Sequence, residues 1–514
     1  MLPRPIVYLI GAGPGDPGLI SVRGLACLAA ADVVLFDHLV HPRLLRHAAA
    51  HAERIDVGIA SPQALAQEAI CYLLAEKARE GKRVARLKWG DPFVFDRGGE
   101  EALFLHEQGV PFEVVPGIPA AIAIPGYAGV PLTYPGGGDT VTLVRGFEDE
   151  SETPPQVDWS SLANLEGTIV CYAGTKQLPA LLEALLSHGR PGEEPAAVIY
   201  DGTLPSQQTV EGTLQDLAEL TKLSRPRRPA ILVVGRVAAL RQHLRWFDDR
   251  PLFGKRIVVT RPREDAPDLV DLLTIFGAEA IEAPMIRIAP PEDWGPLDAA
   301  VDDVGRFDWI VFTSVNAVDH FMQRLYRGVG DVRELKGVRL CAIGPSTRDR
   351  LLRYGVRIDL VPDDFRAEGV VTALAEIDPL EGRTFLLPRA DAGREKLAEA
   401  LRAAGAEVTD ITAYRALSAE SELEHHPDVY RMLLDRTVDV VTFTSAAAVR
   451  NFVQTYGAEQ VADLLQQTHV AVCGPVTAEA AARLGVPVAI MPADYTLSAL
   501  VQAIADHYVQ AAEV

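Results

Sequence analysis

The chain has 514 residues, 48% of them hydrophobic and 23% charged, which is ordinary for soluble globular protein and too long for a single core. A formal net charge of -21 excludes binding through a basic field, so neither nucleic acid nor an anionic membrane is an expected partner, and any anionic ligand must be held by local groups. Only one short apolar run precedes Gly11 and no later run approaches a membrane span, so a cytoplasmic protein is expected.

The cysteines Cys27, Cys71, Cys171, Cys341 and Cys473 are odd in number and form no C-x-x-C pair, so they read as buried free thiols. His38, His41, His47 and His51 lack a third ligand at matching spacing. They read as surface histidines, and no metal is expected.

In chain order, Ile6 to Ile10 reads as a strand, Gly11-Ala-Gly-Pro-Gly-Asp-Pro-Gly18 as a loop and Ser21 to Ala31 as a helix. Glycines let backbone approach a ligand, and the following helix offers free N–H groups, although a tight strand-to-helix turn needs the same glycines. The loop is not a dinucleotide fingerprint, because Asp16 stands at its sixth position. Ala31 to Val40 reads as a second strand passing through Asp37. Arg83 to Leu87 is another, leading into Gly90-Asp-Pro-Phe-Val-Phe-Asp-Arg-Gly-Gly-Glu100, and Phe112 to Val115 leads into Pro116-Gly117-Ile118. Strands ending in Gly/Pro loops predict an open parallel sheet with a ligand crevice at their carboxyl ends.

These segments, with Phe36-Asp37-His-Leu-Val40, Pro131-Leu-Thr133, Tyr172-Ala-Gly174, Val210-Glu-Gly-Thr-Leu214 and Trp246-Phe247, resemble uroporphyrinogen-III C-methyltransferase over residues 5–247. The resemblance implies two α/β domains, 1–133 and 134–247, with S-adenosylmethionine between them, a homodimer through this half, and methylation of two carbons of uroporphyrinogen III. It implies Asp37 as proton acceptor and cofactor contacts at Pro14, Trp89, Gly90, Asp91, Val94, Pro119, Ala120, Ala173 and Gly202. Several positions depart from the family. Trp89 stands for a glycine, Pro119 for a threonine, Ala173 for a methionine, Asp96 for a glycine, and Tyr134-Pro135 for His-Arg. Ile59 stands where the family has its proton-donating lysine. The pattern reads as a fold kept without its chemistry, a dimerising or tetrapyrrole-holding half; a fully bifunctional synthase and methyltransferase making precorrin-2 is the alternative.

Residues 248–254 read as a linker with Pro251 and Gly254, after which Ile257-Val258-Val259 opens a new α/β domain. The rest is duplicated. Ile257-Val-Val-Thr-Arg261 with Gly277-Ala-Glu279 recurs as Phe385-Leu-Leu-Pro-Arg389 with Gly405-Ala-Glu407; Asp308 to Ser314 recurs as Asp439 to Ser445; Gly344-Pro-Ser-Thr347 recurs as Gly474-Pro-Val-Thr477. The long period means two lobes rather than a solenoid. Each block sets hydroxyls and helix amino termini at strand ends, so facing lobes make a cleft of neutral anion donors. Ser314 and Ser445 equally suit helix N-caps, and neither lies in G-x-S-x-G.

With Phe312-Thr-Ser314, Ala342-Ile-Gly-Pro345, Leu386-Leu-Pro-Arg389, Tyr414-Arg415 and Phe443-Thr-Ser445, residues 255–510 resemble uroporphyrinogen-III synthase. The fold class is therefore α/β throughout: a two-domain tetrapyrrole-methylase-like half, then a two-lobed half with flavodoxin-like lobes. The resemblance implies a discontinuous first lobe, 255–289 plus 417–514, and a second lobe, 290–416. It implies closure of the linear tetrapyrrole hydroxymethylbilane to uroporphyrinogen III with inversion of the last pyrrole, without metal or organic cofactor. Tyr414 is the implied donor to the departing water, and Thr313, Ser314, Ser445 and Thr477 are the implied carboxylate contacts. Arg261 and Arg389 add positive charge or serve as structural pairs. A two-lobed tetrapyrrole-binding protein without turnover is a further reading.

Overall fold

The structure, a computed structural model, describes residues 5–58, 65–145, 156–174, 176–223, 230–262, 265–327, 330–364, 366–391, 395–418 and 428–512. The chain divides into two compact units, residues 1–254 and 255–514.

The first unit opens with β1 (Ile6–Gly11), β2 (Val33–Phe36), β3 (Glu53–Asp56), β4 (Arg83–Lys88) and β5 (Phe112–Val115). They form a sheet of order β3-β2-β4-β1-β5, and every pairing in it is parallel. β1 is apolar from Ile6 to Ile10 because helices cover both faces. Tyr8 and Ile10 pack with Cys27 and Leu28 on one side, and Val7 and Leu9 with Leu74 and Leu105 on the other. The helix Val22–Ala29 is capped by Ser21, whose hydroxyl accepts the Gly24 N–H. A second sheet holds β6 (Val141–Val144), β7 (Thr168–Ala173), β8 (Pro195–Tyr200), β9 (Gln208–Thr213) and β10 (Ala230–Val234), in the order β6-β7-β10-β8-β9. This one is mixed, with β10 antiparallel to both neighbours.

The second unit contains β11 (Arg256–Val259), β12 (Glu279–Glu282), β13 (Ile286–Ala289), β14 (Trp309–Phe312), β15 (Arg339–Ala342), β16 (Thr384–Ala390), β17 (Glu407–Ser418), β18 (Val440–Phe443) and β19 (His469–Val472). Two sheets result, β12-β11-β18-β19 and β13-β17-β16-β14-β15. The first is entirely parallel, and the chain leaves it after β12 and returns at β18. β13, placed by the sequence with the first lobe, hydrogen-bonds antiparallel to the end of β17 and so lies in the second sheet. The physical reason is the length of β17: twelve residues let one strand pair with β16 at its start and β13 at its end.

The five cysteines are unpaired, four of them buried. His41 corrects the expectation of a surface histidine. Its ring accepts the Arg43 N–H at a helix start, and burial pulls its pKa down to about 4. Among the described residues no group of His, Cys, Asp or Glu is arranged to hold a metal, and no helix is long and apolar enough to cross a membrane.

Candidate functional sites

In the first unit the loops leaving β1, β4 and β5 meet backbone to backbone. A Cβ on Gly11 would lie 2.4 Å from the Gly117 Cα and 2.7 Å from the Gly90 carbonyl, and one on Gly117 would lie 2.2 Å from that carbonyl, so only glycines fit there. Gly90 and Gly13 exchange hydrogen bonds at 2.9 and 3.2 Å. Asp91, expected to touch a cofactor, is an internal clamp. Its carboxylate accepts the N–H groups of Phe93 at 2.8 Å and Gly117 at 2.9 Å, which fastens two loops together. Val94 closes the turn onto the Asp91 carbonyl.

Pro14 is buried in the β1 loop, Pro119 is the N-cap of the helix Ala120–Tyr127, and Ala120 is buried beside Gly90. Ala173 ends β7 and is buried, and Gly202 packs directly on Ile124. Trp89 is half buried against the apolar cluster formed by this helix and the second sheet. Phe95, held at φ 54°, meets the Tyr172 ring edge-on at 5.2 Å, and the Tyr172 hydroxyl accepts the Ala121 N–H at 3.2 Å. The structure thus joins Gly90 to Ala120 and Gly202 to Ile124, and sets Trp89 against the same helix. Ile59 lies outside the described residues.

Sequence reasoning missed the hub of this crevice. Asp16 accepts the Tyr127 hydroxyl at 2.8 Å and the Gly18 N–H, while its own N–H donates to the Thr203 hydroxyl at 2.9 Å, tying the glycine loop to the second sheet's loop. It also missed a buried ionic network. The Arg86 guanidinium reaches Asp37 at 2.5 Å and Glu101 at 3.2 Å; Lys88 reaches the same Glu101 oxygen at 3.0 Å and Asp96 at 3.1 Å. Arg86, Lys88 and Glu101 are essentially inaccessible. Two cations face three carboxylates, and burial, with Asp37 nearby, pushes the Asp96 pKa up to about 6 despite Lys88. A signal existed: Arg86 and Lys88 alternate on one face of a strand that is otherwise apolar, and buried charges demand partners. Asp37 is therefore an ion-paired carboxylate at the end of β2.

In the second unit Ser314 and Ser445 occupy equivalent places. Each caps the helix after its strand, accepting the Ala317 or Ala448 N–H at 3.2 Å. Thr313 is half buried at the end of β14, and Thr477 is buried in the first turn of the helix Pro475–Arg483. Among the described residues only Ser314 of the two has a second partner, because its hydroxyl lies 3.1 Å from that of Tyr414 on β17. Tyr414 is 8% exposed, and burial raises its pKa, with the charges of Asp265 and Asp391 adding to that and the Ser314 hydrogen bond opposing it. The phenol is consequently protonated at neutral pH. Its ring stacks on His320 at 5.6 Å, and His320 on Trp294 at 6.0 Å. Asn316, in the first turn after Ser314, donates to Asp265 of the first lobe at 3.1 Å, so the lobes touch beside Tyr414.

The arginines differ. Arg389 is bound to Asp410 through two contacts, 2.5 and 2.9 Å, and to the carbonyls of Ala390 and Asp391, which is the structural pairing of the two roles the sequence left open. A bidentate pair of this kind has little guanidinium left for a ligand. Arg261 has no hydrogen bond or ion pair among the described residues, and its Nε is buried.

Parallel strands whose carboxyl ends run into Gly-rich loops in the first unit and serine-capped helices in the second define a two-part α/β protein. Residues 6–218 match the family described as Tetrapyrrole (Corrin/Porphyrin) Methylases, and residues 267–502 match Uroporphyrinogen-III synthase HemD. Porphyrin biosynthesis protein HemD of Ruminiclostridium josui is 34% identical over 477 residues, 92% of this chain and 93% of that protein. Uroporphyrinogen-III C-methyltransferase of Bacillus subtilis (strain 168) is 35% identical over 73% of this chain and 77% of its own length. Siroheme synthase of Thiobacillus denitrificans is 44% identical over 51% of this chain, which spans about half (54%) of that protein. Among solved structures, uroporphyrin-III C-methyl transferase from Thermus thermophilus complexed with S-adenyl homocysteine is 38% identical, covering 46% of this chain and 100% of that one, with a TM-score of 0.40. The chain belongs to the family of tetrapyrrole-biosynthesis enzymes that fuse a tetrapyrrole-methylase half to a uroporphyrinogen-III synthase half.

Proposed function

We propose that the second unit closes hydroxymethylbilane to uroporphyrinogen III, with Tyr414 as the proton donor. The observation carrying this is the buried Tyr414–Ser314 hydroxyl pair where β17 meets the cleft. The carbon–oxygen bond of the terminal hydroxymethyl group breaks, its electron pair leaves with oxygen, and the Tyr414 proton completes a water molecule. The bilane is left as an azafulvene cation. A protonated phenol suits this step, and Ser314 hydrogen-bonds the phenolate that forms. Holding the chain folded, so that the substituted carbon of the last pyrrole is the atom within reach, is a positioning effect worth many powers of ten in effective concentration. Thr313, Ser445 and Thr477, with the helix N–H groups beside them, face the substrate's carboxylates.

For the first unit we propose a methylase framework that has lost methyl transfer. S-adenosylmethionine, where bound, supplies an electrophilic methyl group, and the Gly11, Gly90 and Gly117 loops with Ala120 and Gly202 are the residues that would hold it. The backbone cradle fits such a ligand. The reacting groups do not fit as well: Asp37 is engaged by Arg86, Trp89 fills part of the adjoining seam, and Ala173 and Pro119 replace larger or hydroxylated contacts. The intact cradle favours a second reading, a bifunctional enzyme that also methylates its product. Association as a homodimer through this unit completes the proposal and is tested by light scattering of the full chain.

One assay separates the readings. Purified protein receives hydroxymethylbilane and S-adenosylmethionine, and products are oxidised and resolved by isomer and mass. Type III product without added methyl groups is expected; methylated type III product establishes the bifunctional reading, and type I product alone overturns the synthase.

A further inference from the structure

The duplication places Arg261 and Arg389 at equivalent strand ends and Glu282 and Asp410 at equivalent places on the neighbouring strands. Register is conserved too: Val259 faces Glu282 as Leu387 faces Asp410. The shared register carries an ion pair in the second lobe, where β16 continues through Arg389 with a register shift at Arg389/Ala390, and none is formed between Arg261 and Glu282 in the first, where β11 ends at Val259. Arg261 is left with a buried Nε that meets no acceptor among the described residues. Arg261 itself is partly buried, and a shielded donor left unmet is costly and needs an explanation.

The surroundings supply one. In the parallel sheet β12-β11-β18-β19 the registers bring Arg261, Thr444 and Cys473 to one level just beyond β11, β18 and β19, with Ser445 one residue further on. The Thr260 hydroxyl donates to the Thr442 carbonyl at 2.7 Å and the Cys473 N–H to the Phe443 carbonyl at 3.1 Å, which fastens the three strand ends together. The Arg261 charge is felt at the Cys473 thiol, where it opposes the effect of burial. Beyond Cys473 the helix Pro475–Arg483 begins at Gly474 without a side-chain cap. Pro475 has no N–H and the Thr477 N–H donates to the Gly474 carbonyl, so Val476 is the first-turn residue whose N–H is left for an acceptor. A guanidinium fork on a neighbouring strand end, together with such a donor, suits a carboxylate.

We infer that Arg261 is the carboxylate anchor of the cleft: the first lobe grips an acetate or propionate arm of the tetrapyrrole through this side chain, while the second lobe uses its equivalent arginine to fasten its own strands. The inference rests on the proposed synthase reading and makes the two lobes unequal in binding. It also predicts a trade between binding and stability, because removing the unmet buried donor relieves the empty protein while weakening its complex.

The test compares wild type, Arg261→Gln and Arg261→Lys in type III product formation and in thermal unfolding with and without uroporphyrin III, a stable octacarboxylate probe. For Arg261→Gln, KM is expected to rise tenfold or more with a smaller change in kcat, the thermal shift caused by uroporphyrin III to shrink, and the unliganded melting temperature to stay level or rise. Arg261→Lys, which keeps the charge and loses the fork, should recover part of the KM. An unchanged KM and thermal shift in Arg261→Gln overturns the anchor, as does a lower unliganded melting temperature with KM unaltered. Should wild type yield only the type I isomer, the synthase reading fails separately, and the dependence of the uroporphyrin III shift on Arg261 still decides whether the anchor exists.

Discussion

In the first lobe Phe443 meets Phe452 edge-on with ring centres 5.2 Å apart, and in the second Phe312 meets Phe321 the same way at 5.3 Å. Each lobe then turns its strand into a helix through a serine cap. Their polar side chains diverge. His320 stacks between Trp294 and Tyr414, whereas its counterpart Asn451 donates to the Met285 carbonyl at 2.8 Å. Arg389 is closed onto Asp410, and Arg261 is open. Duplication has kept the apolar framework, which tolerates little change in volume, and has spread chemistry unevenly over the polar rim. By our proposal one lobe carries the proton donor, and by our inference the other carries the anion grip.

The sharpest way to break this division is Tyr414→Phe. The ring stays packed on His320, so the fold should persist with a loss of about 1 kcal/mol for the Ser314 hydrogen bond. Type III formation should fall by roughly 100-fold or more, the range for removing a general acid. A rate near wild type in a single-turnover assay would return Tyr414 to an ordinary buried tyrosine.

Arg389→Ala should act on stability first. Truncating one member of a pair whose side chains are only 14% and 16% exposed strands Asp410, for a cost of about 2–4 kcal/mol in urea unfolding of the full chain. Because the Asp391 N–H donates to the Tyr414 carbonyl, a secondary fall in kcat is expected. Arg261→Gln should show the reverse pattern. Equal behaviour of the two variants would erase the distinction between the lobes.

The first unit offers a third arrangement of charge, in which two buried cations meet three carboxylates. Asp96 has its pKa raised to about 6, mainly by burial. A raised carboxyl pKa contributes stability below its unfolded value near 4, and this is lost as pH rises through about 6. Asp96→Asn should therefore stabilise the protein by about 1–3 kcal/mol at pH 7.5 and have little effect below pH 4. A pH-independent change in melting temperature would place Asp96 in the role of a simple partner for Lys88.

Much of this was legible in the sequence because it rests on periodicity and repetition. Ile6 to Ile10, Ile257 to Val259 and the paired Phe-Thr-Ser segments announce strands, strand ends and duplication in types of residue that have few alternatives. Tyr414 carried no such signal; its role depends on β17 running twelve residues and arriving opposite Ser314, a long-range register that composition does not encode. The arginines were opaque for a related reason. Arg261 and Arg389 look alike in sequence, and whether each closes on its neighbour is settled by side-chain packing. The clamp role of Asp91 was hidden because a carboxylate that accepts two backbone N–H groups reads the same, in a Gly-rich loop, as one that meets a ligand.

The finest division lies between the two capping serines. Ser314→Ala and Ser445→Ala each remove one N-cap bond of 3.2 Å, so each should cost about 1 kcal/mol in unfolding, and the two losses should match. In turnover they should part. Ser445→Ala removes one hydroxyl from the rim proposed to bind carboxylates and should raise KM by a few-fold at most. Ser314→Ala also takes the hydrogen bond from the Tyr414 phenolate, so kcat should drop roughly tenfold, the worth of one bond to a charged group. If the serines prove equivalent in kcat as well as in stability, the 3.1 Å contact to Tyr414 is packing, and the proton leaves the phenol without help from the second lobe's helix.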